Sequence, residues 1–370
     1  MINARRTVVA VAVVAVLAGA LPAFRAGAVP RYSARYGQRC GLCHVNPSGG
    51  GMRTTYASQQ LVPEEFAWRR AAAESTLVPD PQLTRSLAVG ADFREVYVGS
   101  GDEARSLDFF QMQGDLYLAF QLDPKTALYY DRSLSDSYEL FGTAYLLPLT
   151  GYLKAGRFVP SYGWKFDDHT MYVREGLGLA PPANSDVGVE VGLQPGPLDV
   201  QLGLVNGSRG ATLDDDERLA QSGNAIYRWS GGGVGAGLGA AGYLQSGRQS
   251  DLKVGGTYGY LSWRGWTWVG EVDVARREPA GAERVTALVT SHELSWLARQ
   301  GLELIATYDF LDPDKNYESG AKSRWGVGVH LMPRPYLALD AAYRRTDVDA
   351  GPALGGDDFY ETVLQLHLIY

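Results

Sequence analysis

Only two cysteines occur in 370 residues, so no disulfide framework holds this chain together. Past residue 28 there is no uninterrupted apolar run of about 18 residues, which excludes a polytopic helical membrane protein. Basic residues are the minority charge, 34 Lys and Arg against 41 Asp and Glu, and a net of −7 argues against nucleic acid as a partner. No Ser-His-Asp order, paired-carboxylate site or phosphate loop is present, so hydrolase and transferase activity have no support. What is abundant is Gly at 45, Tyr at 22 and aromatics at 11%, with only 20% charged residues. That mixture is typical of neither a helical enzyme nor a disordered chain.

Residues 1–28 read as a secretory signal. Arg5 and Arg6 form a positive n-region, Thr7 to Ala23 is apolar, and Ala26-Gly27-Ala28 is a small-residue cleavage site. An uncleaved anchor helix needs a longer apolar run than Pro22 and Arg25 leave. Removing Arg5, Arg6 and Arg25 leaves an exported chain with a net charge of −10.

Both cysteines fall in Cys40-Gly41-Leu42-Cys43-His44, the C-x-x-C-H attachment signature of c-type haem. Two thiols three positions apart can each form a thioether with a haem vinyl group, while the adjacent imidazole serves as proximal iron ligand. A redox disulfide or half a zinc site are the alternatives. Zinc needs further ligands, and the next histidine after His44 is His169. Met52, eight residues past His44 and behind Pro47-Ser48-Gly49-Gly50-Gly51, is the candidate sixth ligand, since three glycines let the backbone turn round a haem edge. Packing of Met52 as an ordinary apolar contact is the competing reading. From Val29 to Val78 six arginines oppose three glutamates, a net of +3, so the rest of the exported chain carries −13. Pro63 to Ser75 is expected to be helical, and a unit of about 50 residues has little core without its haem.

From about Arg85 a period of two takes over. Leu116, Leu118, Phe120 and Leu122 alternate with Asp115, Tyr117 and Gln121, and the pattern returns around Val187, Leu198 and Trp325. Short turns at Asp123-Pro124-Lys125, Leu147 to Thr150, Pro195 to Pro197, Gly231 to Gly233, Arg264-Gly265, Arg299 to Gly301 and Pro333 to Pro335 alternate with longer polar links. Seven short turns predict an all-β fold, a transmembrane antiparallel β-barrel of about 16 strands with both ends on the periplasmic side, so the outer membrane is the expected location. A soluble β-sandwich is the alternative, but the last strand puts Thr362, Leu364, Leu366, Leu368 and Tyr370 on one face, as outer-membrane barrels do. The expected organisation is a signal peptide over 1–28, a monohaem cytochrome c segment over 29–82 and the barrel over 83–370. By alternation His330 and His367 face the lumen and are rival sixth ligands, as is His169 on the longest link if that loop folds inward; His292 has ambiguous parity. His169 with Asp167 and Asp168, and the run Asp214-Asp215-Asp216, also invite a cation-binding reading, against that of solvated acidic loops.

Cys40, Cys43 and His44, the Pro47 to Gly51 stretch and the terminal Leu364 to Tyr370 strand together resemble the fused monohaem cytochrome–porins of iron-oxidising and other extracellular-electron-transfer bacteria. The resemblance implies one covalent haem c and electron transfer across the outer membrane, between an extracellular donor or acceptor, ferrous iron foremost, and a periplasmic c-type cytochrome. Lipid of the outer membrane is the other expected partner. The alternative function is a diffusion porin for small solutes with a haem docking or sensor segment; a third is one relay in a larger multihaem conduit.

Overall fold

The structure, a computed structural model, describes residues 30–68, 78–100, 108–134, 137–166, 168–177, 179, 185–208, 218–248, 250–349 and 358–370. The expected signal peptide, Asp167, the Asp214-Asp215-Asp216 run and the far end of the helix expected over Pro63 to Ser75 lie outside them.

Among the described residues sixteen antiparallel strands form one closed barrel in which each bonds its neighbours in sequence. They are β1 (Leu87–Ser100), β2 (Asp108–Asp123), β3 (Thr126–Ser133), β4 (Tyr138–Leu147), β5 (Gly151–Phe158), β6 (Asp186–Leu193), β7 (Leu198–Val205) and β8 (Ala220–Gly231). The second half holds β9 (Val234–Gln245), β10 (Ser250–Trp263), β11 (Trp266–Pro279), β12 (Val285–Arg299), β13 (Leu302–Asp312), β14 (Lys322–Arg334), β15 (Leu337–Val348) and β16 (Phe359–Ile369). The seam pairs β1 with β16, from Asp92 opposite Ile369 to Ser100 opposite Glu361.

The period of two decides which side each residue takes. Leu116, Leu118, Phe120 and Leu122 are exposed on the outer face of β2, while Tyr117 and Ala119 are buried inside. In β16 Leu364, Leu366 and Leu368 point out and His367 points in, and Tyr370 just past the strand is exposed. Trp263, Trp266, Trp268 and Trp296 gather on the outer face beside short turns, where aromatic girdles meet the membrane interface. The seven short turns of the sequence are the turns found. Between β10 and β11 only Arg264 and Gly265 intervene, both at positive φ (47° and 85°), the backbone that a two-residue hairpin requires.

The segment ahead of β1 lies within the barrel mouth. Its elements are α1 (Pro30–Tyr36), α2 (Cys40–Cys43) and a π-helix (Ala57–Phe66). That wide helix starts before the expected Pro63 and carries the proline inside it. Proline offers no N–H to the usual ladder, and the tertiary contacts hold the turn: Phe66 stacks on Tyr32 at 4.1 Å, and Cys43, Leu61, Val62 and Met332 pack in the same cluster.

Candidate functional site

The short-turn end of the barrel is stoppered by the segment that carries the C-x-x-C-H motif. Arg53 Nη1 donates to the Pro335 carbonyl at 3.0 Å, Gln300 Nε2 donates to the Glu64 and Ala67 carbonyls at 2.9 and 2.8 Å, and Arg39 reaches Gly196. Deeper inside, Arg31 Nε lies 3.1 Å from Glu303 Oε2 and Arg31 Nη1 3.3 Å from Glu293 Oε1, and Arg35 pairs with Glu303 as well. These side chains are nearly all buried, so the pairing is screened little by salt.

Local sequence shapes the motif. One helical turn brings Cys40 and Cys43 to the same side, closed by His44 N donating to the Cys40 carbonyl at 2.9 Å. The chain then doubles back: His44 bridges Arg53, and Val45 N donates to the Met52 carbonyl at 3.0 Å. Asn46 initiates the return, its Oδ1 accepting from Ser48 N at 3.2 Å. Gly49, Gly50 and Gly51 follow at φ of 87°, 82° and 66°, a left-handed run that side chains would strain.

His44 Nδ1 lies 3.0 Å from the Gly51 carbonyl. A carbonyl only accepts, so the ring proton sits on Nδ1 and the lone pair on Nε2, the arrangement of a metal-bound imidazole oriented from behind. Cys40 and His44 border a hollow inside the barrel, together with Gly49 to Gly51 and the cationic Arg39, Arg94, Lys165 and Arg228. Burial pushes the Cys40 thiol up. Among the described residues no three His, Cys, Asp or Glu side chains are grouped to hold a metal ion. Cys40 on the hollow's border with Cys43 one turn on in the apolar cluster of the mouth, an oriented imidazole, a glycine-lined edge and cations beside the motif fit a covalent haem.

The long link after β5 folds inward and crosses the lumen. Tyr162 Oη donates to Asp273 at 2.6 Å, Trp164 N to Glu271 at 2.6 Å and Trp164 Nε1 to the Gly259 carbonyl at 3.2 Å. Further on, Arg324 Nη2 donates to the Thr170 carbonyl at 2.8 Å and Arg344 pairs with Asp168. The same loop touches the plug, because Lys165 Nζ donates to the Gly49 carbonyl at 2.9 Å. A second hollow lies beside it, bordered by Asp168, Thr170, Arg324 and Arg344.

The candidate ligands are scattered. Met52 is buried among Tyr117 and Tyr129, with its Cγ against Gly90, and is not among the residues that border the motif's hollow. His330 Nδ1 lies 2.6 Å from Asp340, and His367 Nε2 lies 2.8 Å from Asp92 and accepts from Arg94 Nε at 3.1 Å. His292, whose parity was ambiguous, is on the outer face, stacked between Trp268 and Tyr308 at 5.8 and 6.4 Å. His169 and Met112 border the hollow. Alternation puts Met112 on the apolar stripe of β2 with Leu116, but a β-bulge between Arg94 and Glu95 shifts the pairing of β1 with β2 and brings Met112 to the hollow instead.

The sequence matches no protein-family model and no curated protein sequence. Solved structures do match in fold. An anion-selective porin from Comamonas acidovorans aligns with a TM-score of 0.58 at 11% identity, over 77% of this chain and 99% of the porin. A loop-deletion mutant of OmpT, an outer membrane protein of Vibrio cholerae, aligns at 0.59 and 10% identity over 77% and 99%. This chain therefore folds as an outer-membrane porin barrel, with its apolar outer face in lipid.

Proposed function

We propose that the chain is an outer-membrane electron conduit, a porin barrel plugged by a c-type haem segment covalently held at Cys40 and Cys43 and ligated by His44. The observation that carries this reading is the motif's setting: a C-x-x-C-H turn inside the lumen, with His44 oriented by the Gly51 carbonyl. Bound there, the haem supplies a one-electron couple. Lys165, with Arg94 beside Asp92 and Arg39 and Arg228 beside Asp199, borders the same hollow and offers hydrogen-bond donors to its propionates, and Trp164 and Tyr258 line it as well. Depth matters, because the apolar band of such barrels is about 25 Å tall and tunnelling weakens steeply with distance. A plug that reaches Lys165 shortens the path from the extracellular side. The −13 on the rest of the chain favours a cationic donor such as ferrous iron, with a periplasmic cytochrome as the other partner.

A solute porin with a haem docking segment is the second reading, favoured by the porin fold and by the hollow bordered by Asp168 and Arg344. Two measurements on the detergent-purified protein separate them. The conduit predicts a covalent haem that anaerobic ferrous iron reduces within seconds, and liposomes that swell little in sugar. Rapid swelling, with a haem that only dithionite reduces, supports the porin and sinks the conduit.

A further inference from the structure

Five histidines and five methionines are the chain's supply of neutral axial ligands. Met1 lies outside the described residues. Met332 is buried at the mouth beside Tyr32 and Phe66, Met171 borders the second hollow, and Met52 packs on Gly90. His292 is on the outer face, and His330 and His367 are not on the hollow's border, although Asp92, which His367 contacts, is part of it. Only His169 and Met112 share the hollow with Cys40 and His44 among the described residues.

The loop's anchoring distinguishes these two. Thr170 N and Oγ1 both donate to Asp168 Oδ1, at 2.8 and 2.7 Å, which closes a tight turn around residue 169. Asp168 and Thr170 are held by Arg344 and Arg324 and border the second hollow, whereas His169 between them borders the one that contains the motif. Four residues earlier, Lys165 is bonded to the plug at Gly49. The turn is thus pinned to the wall on one side and to the plug on the other. Met112 sits in β2, bordering both hollows, with no such link to the plug.

We propose that His169 is the second axial ligand of the haem carried by Cys40 and Cys43, so that the iron is coordinated by one imidazole from the plug and one from the inward-folded loop. This rests on the haem reading above. Bis-histidine ligation sets a lower reduction potential than histidine–methionine ligation does. It also makes loop and plug a single redox unit.

The test is electron paramagnetic resonance and near-infrared spectroscopy of the ferric protein, with covalent haem measured by pyridine haemochrome and folding by heat-modifiable electrophoretic mobility. Wild type is expected to be low-spin, without a methionine-to-iron charge-transfer band. His169→Ala should keep its haem and its barrel yet become high-spin, with added imidazole restoring the low-spin signal. His169→Met should gain the methionine band and a higher potential, and Met112→Leu should match wild type. A methionine band in wild type, or an unchanged low-spin spectrum in folded His169→Ala, overturns the assignment while leaving the haem in place. Wild type without covalent haem overturns both this assignment and the reading it rests on.

Discussion

Lys154 Nζ and Glu190 Oε1 stand 2.8 Å apart within the barrel, and neither side chain has any solvent exposure. The ammonium also donates to Ser48 Oγ of the plug at 2.7 Å, while Glu190 accepts from Tyr152 Oη at 2.8 Å and from Ser161 Oγ at 2.7 Å. One ion pair thus ties together wall, plug and inward loop. Its charges are held in place of water by these partners, with the Phe158 ring 4.3 Å from the ammonium and Asn46 Oδ1 at 3.4 Å.

Removing one partner strands the other. Lys154→Met is expected to destabilise the barrel by about 3–5 kcal/mol, and Glu190→Met similarly, while the double variant recovers much of the loss. Thermal unfolding followed by heat-modifiable mobility measures all four corners of the cycle. Additive losses would show that the pair is not coupled.

Gly51 leaves no room for a side chain. A Cβ there would overlap Tyr129 Oη, and its φ of 66° is itself unfavourable for other residues. Gly51→Ala should cost about 1–2 kcal/mol from the backbone alone, with the overlap in addition. Tyr129→Phe in the same chain should restore part of that loss. Protease sensitivity of the plug, compared across the three variants, is the readout.

The plug's arginines depend on wall carboxylates. Glu303→Gln removes the carboxylate that Arg31 and Arg35 share, and should loosen the stopper. Liposome swelling with a small sugar is expected to rise several-fold over wild type. Equal rates would mean that the plug is held without this pair.

Acid should release the inward loop late. Partial burial alone would raise the Asp168 carboxyl, but Arg344 foremost, then Arg324 and the Thr170 bonds, hold it well below the usual carboxylate range. A depressed group stabilises fully above its unfolded value of about 3.9 and loses that contribution only as pH falls through the lower folded one. Amide exchange over residues 168–177, corrected for intrinsic rates, should therefore show the same protection at pH 4 as at pH 7. Asp168→Asn should lose protection at both.

The barrel was legible because alternation is a local signal. Leu116 to Leu122 announce an outward face, and seven turns with Gly, Pro or Asp announce the strand pairs. The Cys40-to-His44 spacing was equally visible as a pattern, and it is the pattern on which the proposed haem rests. Relations across the lumen were not legible. Nothing in the spacing of Lys165 and Gly49, 116 residues apart, announces their bond. The doubling back of His44 onto Arg53 was hidden too, because glycines permit many paths and the one adopted is chosen by Tyr129 and Gly90 on the wall. The π-helix was missed because Pro63 reads as a helix start in isolation, whereas packing against Tyr32 makes it an interior residue.

The seam between β1 and β16 closes the wall round a filling drawn from the same chain. The backbone described inside the lumen precedes β1 or lies in the links between strands. Arg31, Arg35 and Lys154 are nearly all buried against their carboxylates, so these charges lose their water only when plug, loop and wall come together. The finished object resembles a cask coopered round its own contents.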